Sequence, residues 1–448
     1  MASTYLSRTS GTATSTQKFT VSAWVKQCLN PSGATDQAIW GVGSSNTNLT
    51  YLRLRSADNS LQLYIEAGGS EISNYVTNRL FRDTSAWYHI VLAVDTTQST
   101  AANRVKIYVN GVQETSFSSS VVPSVNHSVA YLSSNLVNIG RRPHANNNYF
   151  DGSMANVEFV DGQQLTPAYF GSTDSTTGIW TPQASSTISS YGTNGFKLKM
   201  DTATPGADTS GNTNTFTVGG GTPTLTQGSP SNVYATLNPL ARFQVAPTYS
   251  NGNNTITAGA GGSGSSPFST IGASSGKYYA ELSLGSVNGG GISCGIIDIT
   301  QFNPNFQTDA WFYYPTYGYA YMSSNGKKGN NNAEANYANS YTNGDRIGVA
   351  MDLDNNKLYF AKNGVWQNSG DPTSGATGTG AAFTIADGTY GFAVYGYDSK
   401  VWNANFGEGF FGTTAAGTQA DDNGQGLFAY DVPAGYYALN TKNLEAYG

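Results

Sequence analysis

Charge is scarce in this 448-residue chain: 22 basic and 28 acidic side chains make up only 11% of it, against about 25% in a typical soluble domain. The formal net charge is −6, and no basic cluster exceeds Arg141-Arg142 or Lys327-Lys328. A duplex nucleic-acid partner needs a positive stripe and is excluded. Long apolar runs are also missing, and no stretch reaches the roughly 18 residues of a membrane-spanning helix, so no membrane insertion is expected. Cysteine is nearly absent. Cys28 and Cys294 lie too far apart in sequence to suggest a disulfide framework, and each is expected to be a buried free thiol. They cannot supply a tetrahedral Cys/His metal set either. The three histidines, His89, His127 and His144, all fall in the first half. An ordinary Ser-His-Asp or Cys-His site is therefore ruled out in the second half. Met1 to Arg8 has no apolar core of a secretory leader, so none is expected.

What the chain does have is 53 Gly, 29 Tyr and 12% aromatic residues, a composition too ring-rich for a disordered polymer. Asn, Ser, Thr, Gly and Tyr stand where a cytoplasmic protein would carry Lys and Glu. A surface suited to life outside a cell, with no export leader, fits a virion component released by lysis. Sustained helical periodicity is absent. Short alternating runs recur instead, among them Phe19 to Val25, Tyr51 to Leu54, Leu61 to Ile65 and Trp87 to Val94. A strand buried on one face needs this period of two, so the pattern predicts antiparallel β-sandwiches. Two stretches share one design: His89 to Val94, a polar turn, then Val105 to Val109 into Asn110-Gly111; and Arg346 to Met351, a polar turn, then Lys357 to Lys362 into Asn363-Gly364. Asn-Gly accepts positive φ cheaply and marks a hairpin. We therefore expect an all-β chain of two related tandem sandwiches. The expected boundaries are 1–180, an irregular linker over 181–240, 241–410, and a C-terminal extension over 411–448. Pro/Gly interruptions at Asp201 to Gly206 and Gly219 to Pro223 mark the linker, and Ala258 to Ser266 reads as a second flexible tract.

Four segments of the first part, Phe19 to Lys26, Trp87 to Val91, Val105 to Gly111, and Ile139-Gly140 with Phe150-Asp151-Gly152, give it a close resemblance to the concanavalin A-like, laminin-G-like jelly roll of phage structural proteins. The second part resembles a SPRY domain through Gly276 to Glu281, Gly344 to Val349, Asp352 to Asp354 running into Phe360 to Gly364, and Asn405-Phe406-Gly407. The bridge Asp208 to Asn212, with Phe216-Thr217 and Ala235 to Pro239, is similar to connectors in tail-fibre-like phage proteins, and Gly426 to Thr441 has the same look. The resemblance implies two concanavalin A-like jelly rolls in tandem.

Catalytic constellations are hard to find. No Gly-x-Ser-x-Gly elbow has partners in a workable order. His89 sits in a strand pattern and is expected to be structural. Some concanavalin-like sandwiches are glucanases with Glu-x-Asp-x-x-Glu on one strand; the nearest approach here, Glu158-Phe159-Val160-Asp161, does not satisfy it. Because laminin-G-like folds often carry calcium at the rim, the resemblance implies Asp36, Asp95 and Asp151 as candidate calcium ligands, with Asp354-Asn355-Asn356 as another oxygen-rich turn. Each also reads as an ordinary turn residue. The densest feature is Trp311 to Tyr321, where Trp311, Tyr313, Tyr317, Tyr319 and Tyr321 are candidate binding residues. Tyr317, Tyr319 and Tyr321 should share one strand face, with Gly318 and Ala320 on the other. Rings with hydroxyl tips suit sugar faces or a protein partner, although SPRY-like strands also carry aromatic core, as expected for Trp366 and Trp402. The expected role is a non-enzymatic phage virion structural protein, a tail fibre or spike that attaches to the host surface. Its expected partners are other virion proteins, further copies of itself in a homo-oligomer, and a host glycan. A capsid decoration or head-fibre protein with carbohydrate-binding ability is the alternative, and a polysaccharide depolymerase the third.

Overall fold

The computed structural model describes residues 3–28, 35–129, 132–183, 187–241, 245–260, 264–286, 292–301 and 311–448. Met1-Ala2 of the leader reading and residues 261–263 of the Ala258 to Ser266 tract lie outside them. The chain divides into two compact units, residues 1–225 and 226–448.

In the first unit, Lys18–Gln27 pairs antiparallel with Tyr88–Asp95 on one side and Gly152–Asp161 on the other. Val105–Val109 and Val112–Gln113 extend this sheet beyond Tyr88–Asp95, and Phe196–Leu198 closes its other edge. A second, eight-stranded sheet runs Phe117–Val121, Ser70–Leu80, Ser60–Ala67, Asn48–Leu54, Gln37–Ser45, Leu136–Ile139, Tyr5–Thr9, Thr217–Gly219. The alternating runs explain the core. Phe19, Val21, Ala23 and Val25 from the first sheet join Leu52, Leu54, Leu61, Leu63 and Ile65 from the second in one buried cluster. Each large aliphatic side chain buried there contributes about 1.5–3 kcal/mol.

The first sheet's other face is covered too. Val91 and Val160 pack under Leu165, Phe170 and Tyr191, which belong to the segment following Gly152–Asp161. Phe196–Leu198 and Thr217–Gly219, inside the stretch expected to be a connector, are strands of these two sheets. Three residues are too few to display an alternation, so composition alone hid them.

In the second unit, Lys277–Ser286 lies between Arg346–Asp352 and Val401–Asn405. Lys357–Lys362, Val365–Trp366, Phe383–Thr384, Thr255–Thr257 and Thr248–Ser250 extend this sheet. The C-terminal Tyr437–Ala438 joins Lys277–Ser286 in parallel. The facing sheet runs Ala333–Asn336, Lys327–Asn330, Gly318–Met322, Ser293–Asp298, Tyr390–Tyr395.

The C-terminal residues are part of the packing. Phe428, Tyr436 and Ala438 are buried with Tyr279 and Tyr359, and the buried Glu281 carboxylate accepts the N–H groups of Ala429 and Tyr430 at 2.8 and 2.9 Å. The one α-helix among the described residues, Thr441–Tyr447, is capped by Asn440, whose side chain accepts from the Asn443 N–H. Seven residues are too short for a helical period to register in the sequence. Both units are antiparallel sandwiches, as the alternation predicted. Cys28 and Cys294 are both buried, and neither forms a disulfide.

Candidate functional site

The strands carry one arrangement that looks like half a catalytic triad. Ser22 and His89 face each other on neighbouring strands, with Ser22 Oγ 2.8 Å from His89 Nε2. On the far side of the ring, the Trp180 indole N–H donates to His89 Nδ1 at 2.9 Å. An indole nitrogen can only donate, so Nδ1 holds the lone pair and Nε2 the proton. The proton therefore points at the serine, the reverse of what a general base requires. The ring is fully buried, stacks on Trp24 at 4.6 Å, and burial pushes its pKa down to about 3. His89 is a structural histidine. Sequence reasoning missed its partner Trp180, which arrives from 91 residues away into a slot walled by Gly111 and Gly171. His144 Nε2 hydrogen-bonds to the Gly43 carbonyl oxygen at 2.6 Å. Burial lowers the His127 pKa.

The carboxylates expected to take calcium are otherwise engaged. Asp36 faces the Arg53 guanidinium at 2.6 Å and accepts from the Ser56 N–H and hydroxyl at 2.8 and 3.0 Å. Asp95 accepts from Thr97 and Gln98 and faces Lys18 at 3.3 Å. Burial raises its pKa, yet those donors outweigh it and hold the group below the usual carboxylate range. Burial pushes Asp151 upward, which favours its neutral form. Its backbone, not its side chain, makes the Gln37 and Cys28 hydrogen bonds. Among the described residues no three His, Cys, Asp or Glu side chains gather as a metal set. Asp36 and Asp95 thus cap a loop and a turn through their own oxygens and do not fit a calcium ion. Asp354 does the same, accepting the Gly276 N–H at 2.7 Å.

The aromatic run divides between two layers. Tyr319 and Tyr321, on the Gly318–Met322 strand, point toward the facing sheet and are 6% and 0% exposed. Tyr319 packs on Phe383 and Tyr390, and its oxygen accepts the Ala386 N–H at 3.1 Å. Tyr321 packs on Phe360 and Tyr341 and donates to the Asn339 carbonyl. Neither can meet a ligand, which corrects the binding expectation for both. Tyr317 does not share their face. It lies in the turn before Gly318, where no strand alternation applies, and packs against the cluster on the opposite face.

That outer cluster is the candidate site. Ala320, Met322, Ile297 and Ala393 form its floor, with Phe312 and Tyr313 buried on it. Above lies the half-buried Trp311, its ring stacked on Tyr395 at 4.0 Å and 26° and edge-on to Tyr313 at 5.4 Å. Tyr314 and Tyr397 add half-buried rings at 6.2 Å from Trp311 and 6.0 Å from Tyr395. The Lys400 ammonium sits 3.4 Å from the Tyr397 ring centroid, a cation–π contact. Of the five rings expected to bind, the structure brings Trp311, Tyr313 and Tyr317 together here. Tyr395 and Tyr397 escaped the sequence reading because they come from another strand and the loop after it. The arrangement offers flat apolar surface with phenolic edges.

Residues 1–169 match the concanavalin A-like lectin/glucanases superfamily, and residues 281–403 match the SPRY domain. No curated protein matches the sequence. Solved structures similar to parts of the chain include the SPRY domain of human HERC1, at 19% identity over 38% of this chain and 96% of that one, with a TM-score of 0.30. The native heptameric SAP-like pentraxin from Limulus polyphemus is similar at 16% identity over 36% and 71%, with a TM-score of 0.27. Domain 4 of AbnA, a GH43 extracellular arabinanase from Geobacillus stearothermophilus in complex with arabinotriose, is similar at 18% over 34% and 65%, with a TM-score of 0.26. The chain thus joins a concanavalin A-like N-terminal domain to a C-terminal SPRY domain.

Proposed function

We propose that this chain is a non-enzymatic structural protein of a bacteriophage virion, a tail-fibre or spike component that attaches to saccharide on the host surface. The observation that carries the reading is the half-buried Trp311 ring, stacked on Tyr395, near-parallel to Tyr314 and edge-on to Tyr313. Such rings offer an apolar face to the C–H side of a sugar and need little ordering on binding. The low charge and abundant hydroxyl and amide groups support an attachment surface that docks through hydrogen bonds and rings. The Ser22–His89 pair, protonated toward the serine, supports attachment without turnover.

The test is capture of host-envelope polysaccharide by the full chain. Trp311→Ala is expected to weaken capture about tenfold or more, as loss of an aromatic anchor does, in a chain that still unfolds cooperatively. Capture that survives Trp311→Ala, or release of reducing ends from the polysaccharide, overturns the reading. Cryo-electron microscopy of the particle distinguishes a tail position from the capsid-decoration alternative.

A further inference from the structure

Asn-Gly, the pair that marked the hairpins, occurs eight times in the chain. It also has a chemistry of its own. Glycine has no side chain to shield its backbone nitrogen, so that nitrogen can attack the asparagine Cγ. The N–Cγ bond forms, the Cγ–Nδ2 bond breaks, and the displaced NH₂ leaves as ammonia with the glycine's amide proton. Water then opens either carbonyl of the resulting succinimide ring and yields an aspartate or an isoaspartate. Nothing is oxidised or reduced, and water is the only co-reactant. The attack needs a side-chain amide free to swing round and a glycine N–H with no other partner.

Folding decides which pairs meet both conditions. Asn288-Gly289 lies outside the described residues. Asn194 is buried, accepts the Gly11 N–H at 2.7 Å and donates to the Gly11 and Leu132 carbonyls at 2.8 and 3.2 Å. Asn363 accepts the Arg346 N–H at 2.9 Å and donates to the Asp345 carboxylate at 2.7 Å. Asn110 is held by the His89 N–H at 2.8 Å, with the Trp180 ring against Gly111. Asn325 is held by the Lys327 N–H at 3.0 Å, and its Gly326 is buried. Asn423 donates to Asn443 at 2.8 Å, and the Gly424 N–H is spent on the Asp421 carbonyl at 2.9 Å. Asn343 is exposed with a free amide, but the Gly344 N–H is spent on the Leu284 carbonyl at 2.9 Å. Asn251 differs from all of these. It is exposed, in the turn between Thr248–Ser250 and Thr255–Thr257. Among the described residues the Gly252 N–H has no partner and the Asn251 amide oxygen accepts nothing. One contact holds the amide, from its NH₂ to the Thr255 hydroxyl at 3.0 Å. Space is open as well, since a Cβ on Gly252 would meet nothing within 4 Å.

We propose that Asn251 is a self-modification site: in the folded protein it closes on Gly252 and becomes aspartate or isoaspartate ahead of the other six described pairs. Conversion replaces an NH₂ donor by a carboxylate beside Thr255. The Thr255 hydroxyl already donates to Asn403 at 2.7 Å, so one proton is left facing two acceptors, and the tie between Thr255–Thr257 and Val401–Asn405 loosens. The test is incubation of the full chain in mildly alkaline water enriched in oxygen-18, with peptide mapping by mass spectrometry. The peptide holding Asn251 should take up label first. Asn194 and Asn363 should lag about tenfold or more, because two or three hydrogen bonds must open before either can react. Gly252→Ala shields the attacking nitrogen and should slow labelling at Asn251 while leaving Asn343 unchanged. In urea, where every pair has the same glycine neighbour and no fixed partner, the rates should draw together. The proposal is overturned if any of the other six described pairs is labelled as fast as Asn251 in the folded chain. It is equally overturned if Gly252→Ala labels like wild type, or if the order of labelling is the same folded and in urea.

Discussion

His89 links the stability of the first unit to pH. Burial lowers its pKa from 6.5 to about 3. Between those values the unfolded chain binds a proton that the folded chain refuses. Stability is therefore full above pH 6.5 and falls as the pH drops toward 3, at about 1.4 kcal/mol per pH unit. Glu281 in the second unit has the opposite sign. Burial, opposed by the Ala429 and Tyr430 N–H groups, raises its pKa above 4.5. The folded state holds that proton longer, so this contribution declines as the pH rises through the raised value. Hydrogen exchange in Tyr88–Asp95 should accelerate between pH 7 and 4 after correction for intrinsic rates, and His89→Gln should flatten that trend. An unchanged trend in the variant would remove His89 as the cause. The structural role of His89 could be read from its place in an alternating strand. That its tautomer is set by Trp180 could not, because a hydrogen bond spanning 91 residues leaves no local pattern.

At the scale of the element, each unit repeats one device. Asn110 and Asn363 have φ of 48° and 49°, and Gly111 and Gly364 both have φ of 81°. Each asparagine side chain accepts an N–H near the start of the neighbouring strand, from His89, its second residue, in one unit and from Arg346, its first, in the other. A later aromatic residue lies flat against each glycine: Trp180 comes within 2.9 Å of a would-be Cβ on Gly111, and Tyr430 within 2.6 Å of one on Gly364. Alanine at either glycine must hold a left-handed backbone and displace a ring, at a cost of about 1–3 kcal/mol from the backbone alone. Gly111→Ala and Gly364→Ala should both lower the unfolding midpoint, whereas Gly68→Ala, strained in φ but facing open space, should lower it less. Equal losses in all three would show that the rings contribute nothing. The hairpins were legible because Asn-Gly follows an alternating strand. The rings were not, since Trp180 and Tyr430 sit in segments with no period.

For the whole molecule, two sandwiches were legible because the inward face of a long strand is apolar at every second residue, as Phe19, Val21, Ala23 and Val25 are, even where its other face is covered as well. Short strands in irregular stretches carry no such imprint. Phe196–Leu198, Thr217–Gly219 and Tyr437–Ala438 are known only from their partners in space. The ring cluster was half legible: density in the sequence flagged Trp311 and Tyr313, but Tyr319 and Tyr321 are indistinguishable from them until the two sides of the sheet are assigned. Removing residues 411–448 should uncover Tyr279 and Tyr359 and take away Phe428 and Tyr436. The shortened chain is expected to bind a hydrophobic dye and to lose protease resistance in the second unit. A truncated protein as resistant as the full chain would show that these residues are dispensable to the core.

The parallel pairing of Tyr437–Ala438 with Lys277–Ser286 also sets an order of events during synthesis. The first sandwich has all its strands once Gly219 has left the ribosome, but the second waits for a strand near the far end of its sequence. Until then Tyr278 and Tyr279 lack that neighbour, and the nascent chain has greasy surface to shield. Translation that pauses or aborts shortly before Tyr437 should therefore yield a product far more prone to clumping than one halted just after Leu225.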